Sequence, residues 1–392
     1  MKPHILIISY RDMHHPQWGG AEVIIYEVFR RLRESGCRVS FLCCGFPGGS
    51  DRDEIDGMPI RRVGNLYNFN FQVAARLPSL VKREKVDLIV EDINKIPFFS
   101  PLFSRGVPTL CIVPHLFGKT VFQEAPWPQA AYVYLYEQLI PRVYRRCHFS
   151  ALSGTTRDDL VARGIPRERI HIIRSGIDHD LHRPPAERPA SPAPVFLYLG
   201  RLKKYKRIDL PILALPQILE QVPQAQYWIV GEGDYRPELE ALVERMNLGS
   251  AVRFLGMRLD REKVELLHQS RILVYTSPKE GWGLSVIEAN ATGCVAVASD
   301  SPGLRESVRD GETGLLVPHG DVGALGRALT RLLTDDAGWH RMSREAVAWA
   351  SRFRWETSAR ETQELVEEIL GRPGGAGEVA AEDRVAGKGV PS

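Results

Sequence analysis

Two loops in the second half of the chain carry residue types that suit the binding of a phosphorylated ligand. The first loop, residues 200–207 (GRLKKYKR), contains five basic side chains directly after an apolar run. The guanidinium of Arg201 can bind two phosphate oxygens at once, the ammonium of Lys206 adds a point charge, and Gly200 permits a sharp turn. The pattern predicts a diphosphate-binding loop; a solvent-exposed basic turn before a helix is the alternative.

The second loop, residues 277–291 (SPKEGWGLSVIEANA), places two glycines between two carboxylates. Gly281 and Gly283 precede a helical pattern, and the free backbone amides at a helix N-terminus bind anionic oxygens. Glu280 and Glu288 supply acceptors for the hydroxyl groups of a sugar or a ribose. This combination predicts a nucleotide-sugar site. The alternative is one capping glutamate and one solvated helical glutamate.

Short apolar runs alternate with helical patterns along the chain, which is typical of parallel sheets covered by helices on both faces. The predicted strands are residues 5–8, 38–42, 87–90, 109–113 and 170–173, and then 195–199, 226–230, 252–255, 272–275 and 294–298. The predicted fold class is α/β, with two doubly wound domains that face each other. Open sheets of this kind bind ligands at the carboxyl ends of their strands, where both loops would lie.

The domain boundaries follow from a change in composition after residue 180. Five prolines in residues 183–194 predict an extended linker rather than a fold element. Few large apolar residues follow Gly371, which predicts a disordered tail. The predicted units are a first domain (1–180), a Pro-rich linker (181–194), a second domain (195–352), a C-terminal helix returning to the first domain (353–370) and a disordered tail (371–392).

The composition excludes several classes of protein. Lys and Arg total 51 and Asp and Glu total 48, and the net charge of +3 is too small to argue for nucleic acid as a partner. Residues 1–178 hold 24 basic and 18 acidic side chains. This mild excess fits an anionic substrate or a membrane surface, and it also fits a random imbalance. With 44% hydrophobic residues, a wholly disordered chain is excluded.

The cysteines and the apolar runs indicate a compartment. The six cysteines lack metal-ligand spacing, and most lie beside apolar runs, so we expect free, buried thiols. From the N-terminal residues we expect no signal peptide, and no apolar run approaches the ~20 residues of a membrane span. We therefore expect a cytoplasmic protein, with at most peripheral contact with the inner face of the membrane. The aromatic and arginine residues of 127–146 predict a packed domain helix or a membrane-interface helix.

These motifs resemble those of the retaining GT-B glycosyltransferases of family 4, also called group 1 glycosyltransferases. The resemblance covers about residues 4–370 and implies two facing Rossmann-like domains, the first on the acceptor side and the second binding the nucleotide sugar. Two departures are Arg207 and Ser175, where many relatives have glycine and asparagine. The matching segments are Gly19-Gly20-Ala21-Glu22, Gly200-Arg201-Leu202 with Lys206, Glu280-Gly281-Trp282-Gly283-Leu284 with Glu288-Ala289, and the downstream stretches 301–306 and 310–317.

The resemblance also implies a role for each matching residue. Arg201 and Lys206 would hold the donor diphosphate and stabilise the leaving group, and Gly19 and Gly20 would close over the phosphates. Glu288 would bind the ribose, and Glu280 the hydroxyls of the donor sugar. The backbone amides that would line the sugar and the phosphate are those of Gly281, Trp282, Gly283 and Leu284. His115 would be the active-site histidine beside donor sugar and acceptor, although a lone histidine can also be structural.

The implied reaction is retaining transfer of a hexosyl group from a UDP- or GDP-sugar, such as GDP-mannose, to a hydroxyl. A glycan or a lipid-linked intermediate of polysaccharide biosynthesis is the implied acceptor. We expect no further cofactor and no metal, because Arg201 and Lys206 supply positive charge, while Asp51-Arg52-Asp53 and Asp178-His179-Asp180 have the character of solvated loop acids. The alternatives are a non-catalytic nucleotide-sugar- or glycan-binding protein and an epimerase or phosphorylase on the same fold.

Overall fold

The computed structural model describes residues 2–94, 96–124, 126–187 and 194–371. Residues 188–193 of the predicted linker and residues 372–392 of the predicted disordered tail lie outside the described residues. The strands are β1 His4–Ser9, β2 Arg38–Cys44, β3 Arg52–Ile55, β4 Met58–Val63, β5 Leu88–Asp92, β6 Thr109–Val113, β7 His148–Ala151, β8 Ile170–Ile172, β9 Val195–Leu199, β10 Gln226–Val230, β11 Val252–Gly256, β12 Ile272–Tyr275, β13 Val295–Ser299 and β14 Gly314–Val317.

Helices connect most of these strands. They are α1 Gly20–Glu34, α2 Phe69–Glu84, α3 Val121–Glu124, α4 Trp127–Glu137, α5 Ile140–Val143, α6 Gly154–Ala162, α7 Asp209–Gln221, α8 Arg236–Arg245, α9 Asp260–Gln269, α10 Leu284–Ala291, α11 Leu304–Ser307, α12 Val322–Thr334, α13 Asp336–Ala350 and α14 Trp355–Ile369. The predicted helical stretch 127–146 is divided into α4 and α5, and Pro141 lies at the start of the second piece.

The first sheet has eight strands in the order β3-β4-β2-β1-β5-β6-β7-β8. All of its neighbouring pairs are parallel except β3–β4. Every residue of β1 and β6 is buried, which explains why these strands read as continuous apolar runs rather than alternating ones. The position of β1 between β2 and β5 creates a switch point, from which successive loops leave toward opposite faces.

The β3–β4 hairpin is an element that the sequence analysis missed. Asp56 and Gly57 join the two strands, and both have positive φ, 48° and 71°. A two-residue turn of this kind matches the twist of the strands, and Asp-Gly is its usual sequence. Asp53, predicted to be a solvated loop acid, therefore lies in β3 and forms an ion pair of 2.9 Å with the buried Arg62.

The second sheet has six parallel strands in the order β11-β10-β9-β12-β13-β14. Here β9 lies between β10 and β12, so the loops after β9 and β12 leave from the carboxyl ends of neighbouring strands. These are the two loops, 200–207 and 277–291, that the sequence singles out for chemistry. The predicted α/β class with two facing Rossmann-like domains is confirmed.

The C-terminal helix α14 packs against α1 of the first domain rather than continuing the second. Arg31 Nη2 lies 3.0 Å from Glu356 Oε1, and the amide of Ile177 donates to the carbonyl of Phe353 at 3.2 Å. A Cβ on Gly176 would lie only 2.1 Å from the nitrogen of Trp355. The backbone after β8 and the backbone before α14 thus touch, and glycine is required at this crossing.

Two sequence-based expectations about the rest of the molecule can be compared with the structure. All six cysteines are buried thiols outside any disulfide, as expected. Within the described part of the chain, no helix is both long enough and apolar enough to cross a bilayer.

Candidate active site

A buried ion pair joins the two loops of the second domain. The Nζ of Lys206 lies 2.5 Å from Oε1 of Glu280 and 3.3 Å from the hydroxyl of Tyr275. Burial alone would lower the pKa of Lys206, but the negative charge of Glu280 and the neighbouring tyrosines raise it well above its ordinary value. Lys206 is therefore a permanent cation at the carboxyl end of the sheet.

Arg201 provides a second, uncommitted cation in the same loop. Its side chain is exposed and has no hydrogen-bond or ion-pair partner among the residues that the structure describes. Its position is fixed through the backbone, because the hydroxyl of the buried Tyr198 donates to the Arg201 carbonyl at 2.9 Å. An exposed guanidinium on a fixed backbone beside a buried ammonium is suited to a dianionic ligand.

His115 is the residue that the first domain contributes beside Lys206, Glu280 and Arg201. It follows β6, and its ring packs edge-on against Phe117 with centroids 4.9 Å apart. Burial lowers the pKa of His115 to about 4; Glu280 opposes this shift, while Lys279, Lys206 and Arg201 add to it. His115 is thus a neutral imidazole at pH 7. It interacts electrostatically with charged groups of both loops of the second domain, the loop after β9 and the loop after β12.

The backbone of the glycine-rich loop lies directly on the first domain. A Cβ on Gly281 would be 2.6 Å from the carbonyl oxygen of Pro114, the residue before His115. Gly283 has φ +89° and begins α10, and a Cβ there would be 2.8 Å from Oγ of Ser307. Glycine at these two positions therefore allows the start of α10 to approach the cleft between the domains.

Gly19 and Gly20 place a second helix start opposite the first. The amide of Gly19 donates to Oε2 of Glu22 at 2.8 Å, which caps α1. A Cβ on Gly20 would lie 3.9 Å from Cδ2 of Leu284, the first residue of α10. The N-termini of α1 and α10 thus meet across the cleft, and both present partial positive charge there.

Glu288 lies on the second turn of α10, half-buried, and it has no hydrogen-bond partner among the described residues. Burial raises the pKa of this carboxyl, His182 and Lys263 lower it, and Asp260 raises it further. A half-buried carboxyl without a partner is an acceptor available to a ligand hydroxyl.

The side chain of Trp282 contributes to packing rather than to the predicted ligand site. Its side chain is buried between the domains, where the ring packs against Phe353 with centroids 5.1 Å apart and beneath the guanidinium of Arg174 at 5.3 Å. Only its backbone amide is thus available for the predicted ligand contact. The indole serves packing instead.

The sequence analysis assigned no role to several residues that join the domains at this site. The carboxylate of Glu306 accepts hydrogen bonds from the first residues of α6, and Lys279 forms an ion pair of 2.7 Å with Asp159 on the same helix. Glu306 belongs to the downstream segment 301–306 that carries part of the family resemblance. The family resemblance includes Glu306 but does not indicate its hydrogen-bond partners, because these partners lie in the other domain.

One group of three potential metal ligands converges within the described residues, at His148, His171 and Glu368. His148 begins β7, so this group lies away from the carboxyl ends where the two loops meet. The Nη1 of Arg169 lies 3.2 Å from Nε2 of His148, and a cation bound there would face this guanidinium. One acid of each Asp-x-Asp segment is engaged locally: Asp53 with Arg62, and Asp178 with the amides of Asp180 and Leu181.

Two facing Rossmann-like domains with basic and glycine-rich loops at their common cleft define the GT-B class of glycosyltransferase folds. The solved structures that resemble this chain show the same fold. Sucrose-phosphate synthase from Thermosynechococcus elongatus has a TM-score of 0.79 at 22% identity, covering 94% of this chain and 100% of its own. WaaG, a glycosyltransferase involved in lipopolysaccharide biosynthesis, has a TM-score of 0.76 at 18% identity, with 94% and 100% covered.

Family models match nearly the whole of both domains. Residues 18–181 match the model for Glycosyltransferase Family 4, and residues 183–349 match the model for Glycosyl transferases group 1. The chain belongs to this family of group 1, family 4 glycosyltransferases, as the motifs predicted.

Curated relatives are similar over part of their length. A D-inositol 3-phosphate glycosyltransferase of Corynebacterium urealyticum is 32% identical over 225 residues, 53% of each chain. A glycogen synthase of Mycobacterium tuberculosis is 34% identical over 197 residues, 50% of this chain and 48% of its own. The chain thus spans about half the length of the curated relatives it matches, and these relatives differ in the acceptors that their names give.

Proposed function

We propose that this protein is a retaining glycosyltransferase that moves a sugar from a UDP- or GDP-sugar to a hydroxyl of a glycan or lipid-linked acceptor without a metal ion. The observation that carries the proposal is the uncommitted Arg201 beside the buried Lys206–Glu280 pair, with the neutral His115 facing them from the other domain. Positive charge can stabilise the leaving diphosphate, and a carboxylate and a neutral imidazole can form hydrogen bonds with sugar hydroxyls.

The donor diphosphate would bind at the carboxyl end of β9. Arg201 supplies a bidentate fork and Lys206 a buried charge, and the N-termini of α1 and α10 add partial positive charge from both sides. These groups would stabilise the negative charge that grows on the leaving diphosphate. The structure of HepE from Anabaena, at a TM-score of 0.74 and 20% identity, contains UDP-glucose, which supports a nucleotide-sugar ligand for this fold.

The transferred sugar would lie between Glu280 and His115. Only Oε1 of Glu280 is engaged by Lys206 among the described contacts, so Oε2 can accept a sugar hydroxyl. The bond from the anomeric carbon to the phosphate oxygen breaks, and the bond to the acceptor oxygen forms on the same face. The acceptor proton passes to the departing phosphate oxygen, so no nucleophile is needed on the opposite face.

The acceptor side of the cleft belongs to the first domain, which also exposes large hydrophobic side chains. Trp127 and Leu135 of α4 are 74% and 62% exposed, and Arg142, Arg145 and Arg146 follow 7 to 11 residues after Leu135. Aromatic and basic side chains together suit the headgroup region of a membrane. A lipid-linked acceptor presented at a bilayer is therefore the acceptor class that we favour.

The first experiment is thermal-shift binding of UDP-, GDP- and ADP-sugars in the presence of EDTA. We expect one nucleotide series to raise the melting temperature, and Arg201→Ala and Glu288→Ala to abolish that shift. Arg360→Ala and Glu364→Ala, an exposed pair on α14, are the matched controls and should bind as the parent does. Absence of any shift, or a shift that EDTA removes, would contradict the proposal.

Turnover distinguishes the remaining alternatives. Incubation with the bound donor and either soluble glycans or polyprenyl-linked acceptors in anionic vesicles should give a product with the donor's anomeric configuration, read by NMR. Binding without turnover on any acceptor would favour the non-catalytic binding protein. Conversion of the nucleotide sugar in the absence of acceptor would favour the epimerase.

A further inference from the structure

The carboxylate of Glu306 accepts three hydrogen bonds across the boundary between the two domains. Oε2 accepts from the amide of Gly154 at 2.8 Å, and Oε1 accepts from the amide of Thr155 at 2.8 Å and from its hydroxyl at 2.7 Å. Glu306 belongs to α11 of the second domain, whereas Gly154 begins α6 of the first. The free amides and the dipole of α6 thus receive their counter-charge from the other domain.

On the first-domain side, this contact leads to His115 in one step. Thr156, the next residue of α6, is buried, and its hydroxyl donates to the carbonyl of Pro114 at 3.1 Å. Pro114 directly precedes His115. Holding the start of α6 in place therefore holds the backbone on which His115 is mounted.

On the second-domain side, the same contact leads to Glu280. The turn before α11 packs on the loop, because a Cβ on Gly303 would lie 2.1 Å from the carbonyl oxygen of Glu280. The amide of Glu280 donates to the carbonyl of Pro302 at 3.0 Å. Since Gly281 also touches Pro114, the contacts close a ring around the cleft through Glu306, α6, Pro114 and the 280–281 loop.

We propose that Glu306 is a positioning residue: by capping α6 across the domain boundary, it fixes His115 against Glu280 and Lys206. This inference rests on the proposed function for its kinetic consequence but not for its structural one. The Lys279–Asp159 ion pair supports the same closure from the middle of α6. A further tie is Arg174, whose Nη2 lies 3.7 Å from Glu306 Oε2.

The ionisation of His115 provides a readout that does not depend on catalysis. The charges facing this imidazole are Glu280, Lys279, Lys206 and Arg201, and burial is the main cause of its low pKa. Loss of the negative charge of Glu306 would by direct electrostatics lower the pKa further. Loosening of these interdomain contacts would hydrate the imidazole and raise its pKa. The direction of the pKa change therefore distinguishes the two effects.

The test is Glu306→Gln, with His115 titrated by NMR in protein labelled at histidine and assigned with His115→Gln. We expect the pKa of His115 to rise by about one unit or more toward its ordinary value. We also expect kcat to fall roughly 10- to 100-fold, while the nucleotide dissociation constant changes less, because Glu306 makes no described contact with Arg201 or Glu288.

Companion variants separate positioning from general stability. Thr155→Ala removes one of the three hydrogen bonds and should change the pKa of His115 and kcat less than Glu306→Gln does. The effects of the two substitutions should be non-additive in the Thr155→Ala/Glu306→Gln double variant. Glu306→Asp keeps the charge and should recover part of kcat. Glu312→Gln, a change at an exposed glutamate that pairs with Arg309 of the same domain, should alter neither the pKa of His115 nor kcat.

Two results would overturn the inference. One is a folded Glu306→Gln protein whose His115 pKa and kcat equal those of the parent. The other is a pKa that falls instead of rising, which would show a direct charge effect without movement. If the protein proves to have no transferase activity, the titration of His115 still decides whether Glu306 positions it.

Discussion

At the scale of single residues, the chemistry of the site depends on which groups are charged at neutral pH. Lys206 is charged because Glu280 lies 2.5 Å away, and His115 is neutral because the half-buried position of its ring disfavours the charged form. A neutral imidazole can donate one hydrogen bond and accept another, so it can orient a sugar hydroxyl without adding positive charge beside the developing oxocarbenium ion.

The low pKa of His115 predicts a pH dependence of stability. In the unfolded chain, histidine binds a proton below about pH 6.5, whereas in the folded protein His115 does so only below about pH 4. Between these values the unfolded state binds more protons, so stability falls as the pH is lowered from 6.5 to 4. The contribution of this group is at most about 3 kcal/mol.

The measurement is urea unfolding of the parent and of His115→Gln at several pH values across this window. We expect the variant to lose stability less steeply on acidification. Subtracting the two curves removes the contribution of other histidines with lowered pKa values, such as His4 and His319. Parallel curves would contradict the assignment of a buried, neutral His115.

At the scale of elements, the approach of the 277–291 loop to the first domain depends on a missing side chain. Gly281→Ala would place a Cβ 2.6 Å from the carbonyl of Pro114, and neither backbone can move without disturbing the cleft. We expect a loss of about 1–3 kcal/mol of stability from overpacking and about a 100-fold loss of kcat/KM from misplacement of Glu280 and His115.

Gly249→Ala is the matched control, because no atom lies within 4 Å of a Cβ at that position. The control should leave the unfolding free energy and kcat/KM close to those of the parent. Equal effects of the two substitutions, measured by urea unfolding and steady-state kinetics, would show that the close contact at Gly281 has no special role.

At the scale of the whole molecule, the helix α14 joins the two domains into one unit. A hydrophobic cluster contains Ile24 and Val28 of α1, Trp282 and Ile287 of the second domain, and Trp355 of α14. Because side chains from both domains share this cluster, we expect calorimetry of the parent to show a single cooperative transition.

Trp355→Ala should separate this transition into two. Removing a buried tryptophan from a shared core is expected to cost about 3–5 kcal/mol, and the loss falls on the contacts that couple the domains. Trp127→Ala, at an indole that is 74% exposed, should change the transition little. A single, uniformly lowered transition in Trp355→Ala would indicate that other contacts, such as those of Glu306, suffice for coupling.

The sequence by itself determined the features that depend on short stretches of chain. Apolar runs predicted the strands at 5–8 and 195–199, and glycines predicted the loop before α10. These follow from backbone geometry and side-chain burial within a few residues. The Asp56-Gly57 hairpin has an equally local pattern, Asp-Gly between two short strands, but the sequence analysis did not use it.

Only the tertiary structure decided which groups meet across the cleft. Glu306 and Gly154 are 152 positions apart, and no periodicity or spacing relates them. The same holds for His115 with Lys206, and for Trp282, whose neighbours in sequence suggest a ligand contact while its ring fills the space between the domains. Such contacts depend on how the two sheets and their helices dock, and docking is set by the shape and charge of whole surfaces rather than by local patterns.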